Sequence, residues 1–267
     1  MKKYVWILLA LSYLLVGCQK NNVDFLDGNQ TILVAHRGAH QFAPENTVEA
    51  IDQAGKNGYL AVELDVRTSK DGVNFLMHDD SLDRTTNGTG VPEENTMKEL
   101  EQLKVDTADY PKYQSKDVEI PTFDEAIQAV KKNHLIVNVD GSKGDWEDPK
   151  FVSDIVGTLK KYEVYKNSFF VLSDKEIRDT VVKQYPDCTV SWLADNKIPI
   201  EEEIKKVKAY KRALLSVSND LATDENLEKL NQAGIGYQVY GVNDKKRFKE
   251  LKEVKVPMIE TDKIIPQ

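Results

Sequence analysis

Thr31 to Val66 reads T-I-L-V-A-H-R-G-A-H-Q-F-A-P-E-N-T-V-E-A-I-D-Q-A-G-K-N-G-Y-L-A-V-E-L-D-V. Thr31–Ala35 is a compact apolar, β-branched run, as a buried strand requires. Asn46-Thr47-Val48-Glu49 places a capping residue three positions before a glutamate. The helix it opens carries Val48, Ile51 and Ala54 on one face and closes near Gly58. A second strand follows from Leu60 to Val66. Two strands joined by a helix pair in parallel, because parallel pairing needs a long crossover.

The same alternation runs outward from this unit. Thr122-Phe123-Asp124-Glu125 is another capping signature, and its helix spaces Phe123, Ala126, Ile127 and Val130 on one face. Strand signals recur at Leu135–Asp140, Phe169–Leu172, Thr189–Leu193, Ala213–Val217, Ile235–Val239 and Pro257–Glu260. Helices begin near Asp174, Thr223 and Asp244. This pattern predicts an α/β protein with a closed (β/α)8 TIM barrel from 31 to 267. An open doubly wound sheet is the second reading, but Gly38 stands alone where a dinucleotide turn needs several glycines. The chain has 267 residues, 40% hydrophobic and 30% charged, which suits one large core. Barrels of about 250 residues form one domain, so no further split is predicted.

One connection breaks the repeat. Arg67–Gly72 is too short for a crossover helix, and Lys70-Asp71-Gly72 is a turn signal. A hairpin there leads to a strand at Val73–Met77 and sets His78 opposite Leu64. The barrel is thus expected to be distorted between its second and third strands. An inserted excursion follows from Asp80 to Pro121, with a short helix near Met97–Leu103.

The net charge of −8 argues against a nucleic-acid partner. Residues 1–17 read as a signal peptide, with Lys2 and Lys3 before the apolar run Tyr4–Val16. Leu15-Val16-Gly17-Cys18 resembles a bacterial lipobox. It implies lipidation of Cys18, a polar tether through residue 30, export, and anchoring at an envelope membrane. Cys188 would then be the lone thiol, read as buried and structural.

Glu63 and Asp65 share one face of their strand, with Val62, Leu64 and Val66 on the other. Two readings remain open: the acids face solvent, or they face inward and share a cation. Asn138 and Asp140 likewise share a strand face, and Asp140 would complete an all-oxygen site for Ca²⁺ or Mg²⁺. His36 and His78 each end a strand. Together they suit acid–base work on a phosphodiester, one taking a proton from the attacking group and the other giving one to the leaving alkoxide. Arg37 offers a planar grip on phosphate oxygens. His40 lies in the next loop and His134 at the opposite strand end; both read as structural.

These motifs resemble the glycerophosphodiester phosphodiesterase family, a barrel related to phosphoinositide-specific phospholipase C. The likeness rests on H-R-G (36–38), P-E-N-T (44–47), E-L-D-V (63–66), K-D-G (70–72), M-H-D (77–79) and D-R-T-T-N-G-T-G (83–90). Weaker echoes are I-P-T-F-D-E-A (120–126), N-V-D (138–140) and E-T-D (260–262). The resemblance implies Glu63, Asp65 and Asp140 as metal ligands, His36 and His78 as the acid–base pair, Arg37 on phosphate and Glu45 in support. The family's lysine two residues after its third acid is replaced by Ser142, with Lys143 next. The family's W-T-V-N is Tyr240-Gly241-Val242-Asn243, and its S-F pair is Ser173-Asp174. Lys143 and Tyr240 are therefore the candidate substrate-binding residues beside Arg37. The expected substrate is a small phosphodiester. The alternatives are a lipoprotein that binds phosphodiesters without turnover and a phospholipase acting on lysolipid.

Overall fold

The computed structural model describes residues 23–26 and 30–266. The expected signal at 1–17 and Cys18 lie outside the described residues. Eight parallel strands form the barrel: β1 (Ile32–Ala35), β2 (Ala61–Thr68), β4 (Ile136–Asp140), β5 (Ser168–Val171), β6 (Val190–Ser191), β7 (Leu214–Ser218), β8 (Gly236–Tyr240) and β9 (Met258–Thr261). Their order is β6-β5-β4-β2-β1-β9-β8-β7. The ends of this row meet through isolated bridges, Val190↔Ala213 and Leu193↔Ser216, so the barrel is nearly closed. The strand expected over Thr189–Leu193 shrinks to β6 because this seam pairs by single bridges instead of a continuous ladder.

Helices α1 (Val48–Lys56), α3 (Phe123–Lys132), α4 (Pro149–Lys161), α5 (Lys175–Gln184), α6 (Ile200–Lys208), α7 (Asp224–Ala233) and α8 (Lys245–Glu253) link the strands. Thr122, Asp174, Thr223 and Asp244 cap α3, α5, α7 and α8 through their side chains, each cap contributing about 1 kcal/mol. At α1 the cap is Thr47 instead of Asn46. Thr47 has the extended backbone a cap needs, whereas Asn46 sits at φ 54° and uses its side chain elsewhere. Among the described residues no helix is long and apolar enough to cross a membrane.

The expected hairpin is present. Strand β3 (Asn74–Leu76) runs antiparallel to β2, with Val66↔Leu76 and Thr68↔Asn74. Continuing that register sets His78 opposite Leu64. Strand β2 extends to Thr68 because it goes on pairing with β3 after leaving the barrel. The excursion holds α2 (Met97–Leu100), capped by Thr96, and packs its own small core of Phe75, Met77, Leu82, Leu100, Val118 and Ile120. Buried Arg67 ties the two together. It donates to the Met77 carbonyl (3.0 Å), the His78 carbonyl (2.8 Å) and Asp80 (2.5 Å), and it also pairs with Glu93.

Alternation fixes what fills the barrel. Ile32, Val34, Ala61, Phe169, Val171, Leu214 and Met258 form the lower interior cluster. Val23 joins it, and the Phe25 ring stacks 5.9 Å from Phe169. Asp24 accepts from Arg212 at 3.1 Å. This part of the expected polar tether is therefore docked under the barrel, since Val23 and Phe25 are apolar residues within a polar run. Further along six of the strands the interior turns polar: Glu63, Asn138, Ser191, Ser216, Gln238 and Glu260 are all buried. One more step reaches His36, Asp65, Asp140 and Asp262, all at the same end because the strands are parallel.

Candidate active site

Glu63 and Asp65 are buried, with 4% and 3% exposure, while Val62, Leu64 and Val66 are wholly buried on the other face. The acids therefore face inward and not toward solvent. Asp65 lies directly across the ladder from Asp140, and Glu63 from Asn138. Burial raises the Glu63 carboxyl well above its usual range, and the charges of Asp65, Glu260 and Asp140 add to the rise. Burial also raises Asp65, against an opposing hydrogen bond from Asn46, and Asp140 raises it further. Asn46 Nδ2 donates to Asp65 Oδ2 at 2.8 Å, and the Asp65 N–H donates back to Asn46 Oδ1 at 3.2 Å. That reciprocal pair explains why Asn46 does not cap α1.

The H-R-G turn sets the next groups. Arg37 has φ 55° and Gly38 φ 77°. A side chain at Gly38 would meet the Ala50 Cβ at 2.7 Å, so only glycine lets β1 turn against α1 here. The left-handed Arg37 backbone is held by its N–H, which donates to Glu63 Oε2 at 2.9 Å. Its guanidinium lies between Glu45 Oε1 (3.0 Å) and Asp65 Oδ2 (3.5 Å), and its buried Nε makes no hydrogen bond. Glu45 also receives Arg84 on both oxygens at 2.8 Å. Burial pushes Glu45 up, but the Arg84 hydrogen bond and the Arg37 charge outweigh it and hold the carboxyl low.

Each imidazole at the mouth leans on a carboxylate. His36 Nδ1 is 2.6 Å from Asp262 Oδ1, and its Nε2 is 3.8 Å from Glu63 Oε2. The carboxylate accepts, so Nδ1 carries the proton and Nε2 faces the acids. Burial disfavours the charged ring, but the Asp262 hydrogen bond and the Glu260 and Asp262 charges overcome this and raise its pKa. His78 Nδ1 is 2.7 Å from Asp79 Oδ1, and Asp79 is gripped by Arg84 Nε at 2.6 Å. Those two hydrogen bonds, Arg84 first, hold Asp79 far below the usual carboxylate range. The charge of His78 also opposes the rise at Asp65.

Thus His36, Arg37, Glu45, Glu63 and Asp65 are joined by direct contacts, with Asp140 across the ladder. Lys143 stands at the rim, its Nζ 3.8 Å from Asp80 Oδ1. Tyr240 bonds to Ser218 and is pushed upward by burial and by the charge of Glu260. Sequence reasoning gave no site role to Glu260, Asp262, Asp79 or Arg84, read Asn46 as a helix cap, and set His40 apart. His40 Nε2 in fact lies 3.1 Å from the same Asp262 oxygen that binds His36. The signal was the alternation of E-T-D, which sends Glu260 and Asp262 to the face of His36. Burial lifts Glu260 to about 7, with the His36 charge opposing and Asp140 adding; its Oε2 accepts from Asn138 Nδ2 at 3.3 Å. Among the described residues, His36, His40 and Asp262 alone place three metal-capable atoms within 4.8 Å of one another. Cys188 is buried and its thiol is pushed up to about 12, first by burial, consistent with a structural role.

A cleft of about 730 Å³ opens at the opposite end beside Leu26, Lys252, Lys255 and Pro257. The acid–imidazole cluster lies at the other rim. The cluster, and not the cleft, marks the candidate site.

Comparison with known proteins bears on the family of the chain. Human glycerophosphodiester phosphodiesterase 1 is 40% identical over 107 residues, 40% of this chain and 32% of that protein. The chain thus matches about a third of that relative's length. YhdW of Bacillus subtilis is 28% identical over 235 residues, covering 86% of this chain and 93% of that one. A glycerophosphodiester phosphodiesterase from Agrobacterium tumefaciens superposes with a TM-score of 0.74 at 25% identity, over 88% of this chain and 97% of that one. An Oleispira antarctica phosphodiesterase, solved with the product sn-glycerol-3-phosphate, has a TM-score of 0.75 at 24% identity, over 87% and 93% of the two chains. The family match begins at His36 itself and runs through the last barrel strand: over residues 36–265 this chain belongs to the glycerophosphoryl diester phosphodiesterase family.

Proposed function

We propose that this chain hydrolyses glycerophosphodiesters to sn-glycerol 3-phosphate and an alcohol, using a divalent cation and two histidines. The observation that carries the reading is the contact chain Asp262–His36–Glu63–Arg37–Glu45 at the strand ends. A proton-moving ring, a cation-seeking acid and a phosphate-binding guanidinium there lie within one ligand's reach. The product bound by the Oleispira relative supports the same substrate class.

The acids suit a hard cation. Glu63, Asp65 and Asp140 offer only oxygen, and burial with mutual repulsion disfavours Glu63 and Asp65 as bare anions. Asn138 Oδ1, on β4 directly across the ladder from Glu63, is buried without a partner and adds a further oxygen. Ca²⁺ or Mg²⁺ would be held by Glu63, Asp65 and Asp140. Bound there, the ion would draw charge from the phosphoryl oxygens. Arg37 shares that charge from the side of Glu45. One of His36 and His78 takes the proton of the attacking hydroxyl or water as its oxygen bonds to phosphorus. The other gives a proton to the alcohol oxygen as its bond to phosphorus breaks. Asp262 and Asp79 fix the tautomers that make this exchange possible. Lys143 and Tyr240, at the rim, would contact the alcohol and phosphate. The resemblance of Leu15–Cys18 to a lipobox supports anchoring at an envelope membrane through Cys18.

The test is a panel of choline, ethanolamine, inositol and glycerol glycerophosphodiesters, assayed for sn-glycerol 3-phosphate with Mg²⁺, Ca²⁺ or EDTA. Release from at least one substrate, lost in EDTA, is expected. Tight binding without release would favour a pure binding protein.

A further inference from the structure

His40 has no part in the chemistry above, yet it converges on the same oxygen as His36. We propose that His36, His40 and Asp262 form a second metal site, selective for an imidazole-seeking ion of the Zn²⁺ class, whose filling switches the enzyme off.

His36, His40 and Asp262 each offer one ligand atom within 4.8 Å of the other two, and the nitrogens that face the carboxylate are His36 Nδ1 and His40 Nε2. The two nitrogens approach Asp262 Oδ1 to 2.6 and 3.1 Å. Two ligands on a tetrahedral zinc ion stand roughly 3.3 Å apart, given metal–ligand bonds of about 2.0 Å. Side-chain rotations therefore suffice to admit the ion. Two imidazoles and one carboxylate are a zinc-type donor set, whereas the all-oxygen set of Glu63, Asp65 and Asp140 favours Mg²⁺ or Ca²⁺. The carboxylate is built in from behind: Asn243 Nδ2 donates to Asp262 Oδ2 at 2.7 Å, and the Asp262 N–H donates to Asn243 Oδ1 at 2.8 Å. The side chains of His36, His40 and Asp262 are 29%, 27% and 30% exposed, so solvent can supply a fourth ligand.

The consequence follows from the ring. A metal at Nδ1 takes the lone pair on which the Nδ1 proton sat, and that proton is displaced. Nε2 is then held as N–H. It can no longer accept a proton, and it is a far weaker donor than an imidazolium. Both proton-transfer roles open to His36 are blocked by one binding event. The inhibitory half of this proposal rests on the role proposed for His36; the binding half does not.

The experiment titrates Zn²⁺ into the full chain by calorimetry at saturating Mg²⁺, for the wild type and for His40→Gln. Release of glycerol 3-phosphate is followed in parallel against each protein's own zinc-free rate. One zinc per wild-type chain is expected, with affinity falling at least roughly tenfold in H40Q and inhibition weakening by the same factor. Excess Mg²⁺ should not relieve the wild-type inhibition. Equal zinc affinity in the two proteins, or inhibition reversed by Mg²⁺, would overturn the site, because zinc would then be sitting among the oxygens. Zinc bound as expected but without slowing the wild type would overturn the inhibition and the role of His36, while leaving the site itself standing.

Discussion

Asp262→Asn tests the least legible part of the site. The Asp262 carboxylate takes a 2.6 Å hydrogen bond from His36 Nδ1 and is held far below its usual range, first by that bond and then by the one from His40. An amide keeps the size but removes the charge, and it can turn its own N–H₂ toward the ring, favouring the wrong tautomer. A hydrogen bond to a charged group contributes about 1.5–3 kcal/mol, so losing it should cost roughly 10- to 150-fold in kcat/KM. The direction in pH is also fixed. Asp262 helps raise His36, so its loss lowers the His36 pKa. The limb of the pH profile governed by His36 should move toward acid while the other limb stays. The assay is kcat/KM against pH for wild type and D262N, with thermal melts confirming the fold. Unchanged limbs with turnover within about twofold would refute the positioning role.

Other outcomes follow from the same geometry. His78→Ala should lower turnover by about 10² to 10⁴ with little change in melting temperature, since the ring is partly exposed; full activity would remove His78 from the mechanism. Arg84→Ala should raise the pKa of Glu45 and loosen Asp79, weakening turnover less than the loss of His78 does; steady-state kinetics on both variants would rank them. Without divalent ions, stability should fall as pH rises from 4.5 toward 7, because native Glu260 holds a proton that the unfolded chain has released. That window amounts to about 3 kcal/mol for this group, and urea melts of wild type and Glu260→Gln would show it flattened in the variant. Arg67→Met should destabilise the hairpin and excursion and misplace His78, because four carbonyl or carboxylate partners lose their donor; kcat should fall along with the urea midpoint.

Much of the fold was legible because strand and helix periods alternate cleanly and four helices begin on good caps. The hairpin was legible from Lys70-Asp71-Gly72, and its register gave the place of His78. What escaped was set by long-range contact. Asn46 looks like a cap until its amide meets Asp65. Arg67 looks like a surface arginine until it is buried under the excursion. The inward direction of Glu63 and Asp65 could not be chosen from alternation, because a solvent-facing strand has the same pattern. Asp262 reaches His36 across more than two hundred positions of sequence, so nothing local announces the pair. Val23 and Phe25 sit in a polar stretch whose average hides two apolar anchors.

The central claim is that Glu63, Asp65 and Asp140 hold one divalent ion on which turnover depends. Calorimetric titration of Ca²⁺ and Mg²⁺ into the EDTA-stripped chain, beside the E63Q/D65N/D140N variant, tests it most directly. One ion per wild-type chain, recovery of glycerol 3-phosphate release in step with occupancy, and no binding by the variant are predicted. Undiminished binding by the variant, or full release from the stripped wild type, would contradict it.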